Sequence, residues 1–394
     1  MMMDDIKRVQ LSEIAELITK GTTPTTLGYE FQDSGVNFLK IECFDENGVF
    51  IKNKVTHISK ECHEKLKRSQ LKNGDILFSI AGAIGRVAIV TEEMLPANTN
   101  QALSIIRITN EEVYLPYIKL ILTTPIVKDQ FEKKKQGVAQ LNLSLKDINE
   151  ISIPLPNIEK QIELAELFGK VANVIARRNE EIKSLDELIK ARFVELFGDF
   201  IEAENPVDFE SICEFVTVGI ANSATHAFCD DGVIMFRNQN IKEDYLDTAD
   251  IVHITTEFAS KYKTKMLKKD DLLIVRTGYP GVACLVPEQY EGCQTFTTLI
   301  ARLKDAATVT PRFVCHYINS EYGKKYVKDN SAGAAQQNFG ATALSKLPIC
   351  IPPIELQNEY IRFVEQTDKS KFAVQKSLEE AQLLFDSLMQ KYFG

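Results

Sequence analysis

The sequence has 394 residues, of which 44% are hydrophobic and 26% charged, a composition typical of a soluble globular protein with two or three cores. No apolar run approaches the ~18 residues of a membrane span, and the first ten residues lack the basic and then apolar pattern of a secretory leader, so we expect a cytoplasmic protein. The formal net charge of −9 disfavours a free-standing nucleic-acid binder, although basic strips can lie on an acidic body.

Eight cysteines are scattered along the chain without a Cys-x-x-Cys pair, which predicts reduced thiols. Only Cys62 and His63 place two possible metal ligands side by side, and no second pair follows at the spacing of a zinc site. We therefore predict a structural role for these residues and no metal site.

The predicted elements change in type once in the first half of the chain. Short β-like runs at 36–41 and 75–80 alternate with turns, and a helix is predicted over 114–131. Pro154 and Pro156 then end a strand, and no proline follows for nearly fifty residues. Apolar residues recur there at steps of three and four, which predicts one long helix with a coiled-coil seam.

The second half repeats the first at an offset of 196 residues, so two copies fill the sequence. The segment from Leu71 to Leu77 matches that from Leu267 to Leu273, and a Gly-x-x-Gly turn at 82–85 matches one at 278–281. We predict globular domains at 1–156 and 199–352 and long helices at 157–198 and 353–394. Copy one denotes residues 1–198 below, and copy two denotes residues 199–394.

The two predicted helices carry apolar stripes that a lone helix would leave in water. We expect them to pair as an antiparallel coiled coil with pseudo-two-fold symmetry, which gives an α+β fold of two tandem α/β domains, each followed by a long helix. The seam weakens at Asp368 and Lys371. The alternative is that each helix packs on its own globular domain.

The common enzyme signatures are missing from the sequence. It contains no phosphate-binding loop, no dinucleotide-binding glycine motif, no His-Glu-x-x-His and no nucleophile elbow. His57 and His253 occupy matching positions beside apolar residues, and we expect both to be structural. We predict no catalytic residue and no cofactor in this chain.

Basic residues recur at the same place in both copies and are typical of phosphate contacts. A solvated charged surface is the alternative. The candidates are Lys65, Lys67, Arg68, Lys72, Lys261, Lys263, Lys265, Lys268 and Lys269.

Two further groups have the residue types that read base edges. Arginine at the glycine turns can contact guanine or phosphate, and asparagine and glutamine pair with adenine. Amides are also common in ordinary loops, so each position stays a candidate. The candidates are Arg86, Asn98, Asn100, Gln101, Gln140, Asn142, Arg276, Tyr279, Gln294, Gln336, Gln337 and Asn338.

Three motifs carry a family resemblance. They are the Gly-Asp-Ile-Leu run at 74–82, the Gly-x-x-Gln-x-Asn segments at 137–142 and 333–338, and the proline junctions at 153–161 and 349–357 that lead into the long helices. Their duplicated order resembles the specificity (S) subunits of Type I restriction–modification systems. Copy two departs from the pattern at Asp270, where copy one has Gly74, and we expect this difference to be harmless.

The resemblance implies that each globular domain is a target-recognition domain for one half of a split double-stranded DNA site. It implies that the long helices are conserved spacers that dock two methyltransferase subunits, joined by restriction/translocase subunits. S-adenosylmethionine, ATP and magnesium would belong to those partners, and no membrane is involved.

Two other functions stay open on the sequence alone. The chain fits a pseudo-symmetric scaffold for protein partners without DNA readout, or an enzyme with an unfamiliar site.

Overall fold

The computed structural model describes residues 6–132, 142–203, 205–221, 224–304, 308–333 and 338–393. The chain divides into two compact units, which do not coincide with the two copies. Unit 1 comprises Met1–Asn179 and Lys376–Gly394, and unit 2 comprises Glu180–Gln375. Each unit therefore holds one globular part and a segment of both long helices.

The globular part of unit 1 is built from nine short strands and five short helices in its described residues. The strands are β1 (Arg8–Gln10), β2 (Leu17–Lys20), β3 (Val36–Leu39), β4 (Thr56–Ile58), β5 (Ile76–Ser79), β6 (Val87–Ile89), β7 (Ala97–Thr99), β8 (Leu103–Arg107) and β9 (Ser152–Pro154). The helices are α1 (Leu11–Ile14), α2 (Lys60–Lys65), α3 (Leu115–Leu122), α4 (Pro125–Glu132) and α5 (Leu145–Asn149).

The strands of unit 1 form three sheets. An antiparallel sheet has the order β2-β8-β5-β6, a mixed sheet has the order β4-β3-β7 with β3 parallel to β7, and β1 pairs with β9. The strands predicted at 36–41 and 75–80 are confirmed as β3 and β5 with narrower bounds. The helix predicted over 114–131 is wrong as one element, because it breaks at Thr123 before Pro125, which begins α4.

Unit 2 repeats this architecture with its own strands and helices. The strands are β10 (Val207–Asp208), β11 (Cys213–Val218), β12 (Phe228–Cys229), β13 (Val233–Phe236), β14 (Ile241–Lys242), β15 (Tyr245–Leu246), β16 (Val252–Ile254), β17 (Leu272–Ile274), β18 (Ala283–Leu285), β19 (Gln294–Thr295), β20 (Leu299–Leu303) and β21 (Pro348–Ile349). The short helices are α7 (Thr256–Ser260), α8 (Pro311–Asn319), α9 (Glu321–Asp329) and α10 (Ala341–Ser345).

The principal sheets of unit 2 have the orders β11-β20-β17-β18 and β12-β16-β13-β19, and β13 is parallel to β19. The first matches β2-β8-β5-β6 strand for strand. The second contains the counterpart of β4-β3-β7 and one additional strand, β12. The internal duplication therefore produces the same sheet topology twice.

The long helices are α6 (Ile158–Ala203, 46 residues) and α11 (Ile354–Phe393, 40 residues). The first extends five residues beyond the predicted end at 198. None of the helices in the described ranges has the length and apolarity required to cross a membrane.

Within unit 1, the two helix segments run antiparallel. The Lys160 ammonium lies 5.5 Å from the Tyr392 ring, and further along α6 the Phe168 ring lies 5.4 Å from the Phe385 ring. Leu164 and Phe168 also belong to the core of the globular part of this unit, together with Tyr117.

Within unit 2 the arrangement is also antiparallel. Asp186 forms an ion pair with Lys371, and Arg192 forms one with Glu359 at 2.7 Å. Phe193 packs on both Tyr360 of α11 and Phe313 of α8. The helix segments therefore contact one another and the globular part, so the two packing alternatives from the sequence are both realised within a unit.

A buried glutamine fixes the start of each long helix. Gln161 accepts a hydrogen bond from the Tyr114 N–H at 2.9 Å and donates to the carbonyls of Glu112 and Pro156 at 3.0 and 2.8 Å. Gln357 makes the same three bonds at the start of α11. These bonds explain why glutamine recurs in the proline junction, since it satisfies backbone groups that the turn leaves without partners.

Candidate nucleic-acid interface

The basic strips are Lys65, Lys67, Arg68 and Lys72 in copy one and Lys261, Lys263, Lys265, Lys268 and Lys269 in copy two. In each copy a buried aspartate accepts a hydrogen bond from the backbone of the strip. Asp75 accepts both Nε and Nη2 of Arg107 at 2.7 Å and the backbone N–H of Lys72 at 2.7 Å. In copy two, Asp271 makes the same bonds with Arg302 and Lys268. The two aspartates are 1% exposed, so this repeated motif is structural and fixes the backbone at Lys72 and Lys268.

In copy one the basic strip faces solvent. Lys65, Lys67 and Lys72 are exposed, and no ion pair involves them among the described residues. Arg68 is also exposed, but its Nε donates to the Thr19 hydroxyl at 2.6 Å. The three lysines, and the Nη atoms of Arg68, are the groups of this strip that are available to bind phosphate oxygens.

In copy two only part of the basic strip is available. Lys263 and Lys268 are exposed and form no ion pair in the described ranges. Lys261 lies 3.7 Å from Glu257, and Lys269 lies 3.0 Å from Glu288, which raises the pKa of the Lys269 ammonium through that hydrogen bond.

Lys265 is bound to backbone carbonyls in this conformation, and its phosphate contact stays a prediction. Its Nζ donates to the carbonyls of Val218 and Gly219, both at 2.8 Å, and the side chain is half-buried. The ammonium thereby holds the end of β11 to the segment that carries the strip.

Asn98 and Gln294, predicted to read bases, are completely buried. Asn98 is hydrogen-bonded to His63, to the Leu66 carbonyl at 3.1 Å and to Ser69 at 3.0 Å. Neither side chain can reach a base edge in this conformation, so the prediction of base readout is corrected for both.

Gln294 occupies the matching place in copy two. Its amide donates to the carbonyls of Ala259 and Tyr262 at 2.9 and 3.2 Å. In each copy the buried amide therefore fixes the backbone beside the basic strip. This role explains why an amide residue occurs at the same position in both copies.

In both copies the strand end before the glycine turn is hydrogen-bonded to the residue that follows a candidate asparagine, Asn142 in copy one and Asn338 in copy two. The Leu143 N–H bonds to the Ile80 carbonyl at 2.9 Å, and the Phe339 N–H bonds to the Arg276 carbonyl at 2.9 Å. Asn142 and Asn338, one residue earlier, are exposed. The structure thus brings together two groups that the sequence analysis listed separately.

In copy two this juxtaposition forms a polar cluster. Arg276 Nε donates to Asn338 Oδ1 at 3.0 Å, and the hydroxyl of Tyr279, which is 44% exposed, donates to the Asn238 carbonyl at 2.7 Å. The Asn238 amide donates to Thr277 Oγ1 at 2.9 Å. Sequence reasoning missed Asn238, which lies two residues after the end of β13.

The matching region of copy one is less polar. Arg86 donates to the Phe44 carbonyl at 3.1 Å and is half-buried. Asn100 is half-buried and accepts the Ala102 N–H at 3.2 Å, while Gln101 is exposed and accepts a hydrogen bond from Thr23. Gln140, Gln336 and Gln337 lie outside the described residues.

The described residues contain no cluster of three or more His, Cys, Asp or Glu side chains that could hold a metal ion. Among them, all eight cysteines are free thiols and seven are buried. Burial raises the pKa of Cys213 to about 12 and that of Cys293 to about 11, so these thiols are protonated at neutral pH.

The family model for the Type I restriction modification DNA specificity domain matches residues 3–185 and again 206–383. The chain belongs to this family. Its duplicated match reproduces the two copies found from the internal repeat.

Two curated specificity subunits illustrate the relation. The EcoBI specificity subunit of Escherichia coli is 34% identical over 185 residues, which is 44% of this chain and 38% of that protein. The MjaVIII specificity subunit of Methanocaldococcus jannaschii is 21% identical over 276 residues, 65% of each chain. The chain thus covers 38% and 65% of the lengths of these two relatives.

Solved structures show the same fold. A Type I restriction–modification S subunit from M. genitalium has a TM-score of 0.57 at 12% identity and aligns over 99% of this chain and 97% of its own. A chain from a study of complex assembly and conformational transition of a Type I system has a TM-score of 0.55 at 16% identity and aligns over 98% and 96%. The predicted fold of two domains with long helices is confirmed.

Proposed function

We propose that this chain is the DNA-recognition subunit of a Type I restriction–modification complex and that each globular domain reads one half of a bipartite site. The observation that carries the proposal is a surface that occurs in both units. It combines exposed lysines, a buried aspartate that fixes the backbone beside them, and an exposed asparagine near a glycine turn. Phosphate contacts would position the DNA, and the polar residues at the turns would read bases.

The chain performs no chemistry of its own in this proposal. Methyl transfer and cleavage, with S-adenosylmethionine, ATP and magnesium, belong to partner subunits. The location that fits is the cytoplasm, where DNA and these partners meet. The net charge of −9 agrees with this division, since partners would supply part of the positive surface that surrounds DNA.

Partner docking on the long helices is supported by exposed apolar side chains. Phe372 of α11 is 74% exposed in unit 2, and Leu383 of the same helix is 69% exposed in unit 1. A single exposed apolar side chain is ordinary, whereas neighbouring ones such as Leu383 and Leu384, 69% and 51% exposed, favour a protein contact. We propose that two methyltransferase subunits dock there, joined by restriction/translocase subunits, and native mass spectrometry of the complex measures the number bound.

Salt-dependent DNA binding tests the recognition surface directly. The change is Lys65→Ala, Lys67→Ala and Lys72→Ala combined, in chain assembled with its methyltransferase partner. We expect weaker binding to specific and unrelated duplexes alike and a salt slope reduced by about one per lost phosphate contact. Fluorescence anisotropy over a salt series is the measurement.

The matched control is Lys146→Ala, which removes an exposed lysine outside the strip. An unchanged salt slope in the triple variant, with the control also unchanged, would exclude this strip from the DNA interface. A scaffold without DNA readout would show no difference between specific and unrelated duplexes in any variant.

A further inference from the structure

Unit 2 contains a cavity of about 540 Å³ where α8 and the turn between β14 and β15 meet segments of the two long helices. This volume lies in the range of small-molecule sites. Ile189, Phe193 and Tyr360 provide apolar surface, while Asp244 and His316 provide polar groups. The cavity lies apart from the glycine turns and basic strips proposed above to contact DNA.

Asp244 adopts a backbone conformation that side chains other than glycine rarely take, with φ of +68°. The matching residue of copy one is Gly48, with φ of +72°. Copy two therefore carries a carboxylate where copy one has glycine, in a conformation that aspartate tolerates better than most residues.

The Asp244 carboxylate has only weak neutral partners. Its Oδ1 lies 3.2 Å from the Asn319 amide nitrogen and 3.4 Å from the Cys315 thiol. The described residues include no lysine or arginine in an ion pair with it, and about a third of its side chain is exposed. A carboxylate in this position favours a cation.

His316 does not supply that cation. It is 6% exposed, and its Nδ1 is hydrogen-bonded to the Tyr360 hydroxyl. Its Nε2 lies 3.3 Å from Asp244 Oδ1 but makes no hydrogen bond there. Burial lowers the pKa of the imidazole, which is therefore neutral at neutral pH.

The basic residues around the cavity already have acidic partners. Arg312 pairs with Asp368 and Lys371 with Asp186, which accounts for the polar break in the seam of α11. The remaining lysines face carboxylates in three pairs, Lys324–Glu243 at 2.7 Å, Lys190–Glu243 at 3.5 Å and Lys242–Asp247 at 3.9 Å. Asp244 and Glu321 are the lining carboxylates that form no ion pair with a lysine or arginine among the described residues, and Asp244 is the one that contacts Asn319 and Cys315.

Copy one shows that the repeat fold does not require this polar cluster. At an offset of 196, Gly48 stands for Asp244, Leu120 for His316 and Leu164 for Tyr360. Pro116 and Ala172 stand for Arg312 and Asp368.

We propose that this cavity binds an organic cation, a protonated amine or guanidinium on an aliphatic or aromatic stem. The cationic group would lie at the Asp244 carboxylate, and the stem would lie along Ile189, Phe193 and Tyr360. The same chemistry is offered by a free small molecule and by a lysine or arginine side chain of a partner protein.

Calorimetric titration of the full chain tests the proposal with two probes. Agmatine represents a free cation, and N-acetylarginine amide represents a side chain within a polypeptide. We expect binding of agmatine that weakens about tenfold or more in Asp244→Asn, because the charge-assisted bond is lost while the shape is kept. Binding of both probes assigns the site to a protein side chain, and binding of agmatine alone assigns it to a free molecule.

Two variants guard against a folding artefact. Asp244→Gly introduces the residue of copy one, which suits a positive φ, and should fold while losing the probe. Asp270→Asn changes another aspartate of positive φ in copy two and should leave binding unchanged. The proposal is overturned if neither probe binds the wild-type chain, or if binding survives both Asp244 variants.

Discussion

The two units share a scaffold and differ in what they place around it. Both hold a buried aspartate–arginine pair, a buried glutamine at the start of a long helix and a buried amide beside the basic strip. Where the globular part meets the helices, however, unit 1 has Leu120 and Leu164, and unit 2 has His316 and Tyr360. Positions that satisfy buried backbone groups stay the same, because any change there leaves a polar group without a partner.

The largest expected effect comes from breaking the shared aspartate–arginine pair. Asp271→Ala and Asp75→Ala should each lower the free energy of unfolding by about 3–5 kcal/mol, because a nearly buried guanidinium loses its carboxylate. Hydrogen exchange resolved by peptide should show the loss in unit 2 for the first variant and in unit 1 for the second. Equal loss of protection in both units from either variant would show that the units do not unfold separately.

The glycine turns of the two units differ in how closely neighbouring side chains pack against them. Gly281 has φ of +92°, and an added Cβ would lie 2.8 Å from Val327 Cγ1. Gly85 has φ of +84°, but its Cβ would lie 3.3 Å from Phe131 Cζ. Gly281→Ala should therefore cost about 2–4 kcal/mol, and Gly85→Ala about 1–2 kcal/mol.

Urea unfolding of both alanine variants compares these costs. A larger loss of stability in Gly85→Ala than in Gly281→Ala would contradict the packing described for the two turns.

Much of this architecture is encoded in patterns that a single sequence displays. The offset of 196 residues revealed two copies, and apolar spacing revealed both long helices, since such periodicity reflects burial on one face. The predicted end of α6 was five residues too early, because the residues after Gly198 keep a helical pattern. The single helix predicted at 114–131 was wrong because Pro125 begins a second helix after a break at Thr123 and Thr124.

The candidate interface was harder to predict, because residue type does not report burial. Asn98 and Gln294 have the chemistry of base readers but satisfy buried carbonyls, and Lys265 has the charge of a phosphate contact but binds two carbonyls. The sequence does indicate one feature of the cavity in unit 2, because Asp244 of copy two stands where copy one has Gly48.

A small effect is expected where the copies exchange Gly74 for Asp270. Both residues have positive φ, +84° and +65°, and aspartate tolerates this region better than most residues. Asp270→Gly should change the free energy of unfolding by less than about 1 kcal/mol. Thermal unfolding measures it, and a larger change would mean that the Asp270 side chain makes a contact that differs between the copies.

The central claim is that two recognition domains each read one half of a DNA site. Its most direct test exchanges residues 1–156 for the equivalent region of another specificity subunit and expresses the hybrid with the methyltransferase partner. Single-molecule sequencing then maps the methylated bases in the host genome. The account predicts a new sequence in one half of the site and the original sequence in the other, whereas a change in both halves, or in neither, would contradict it.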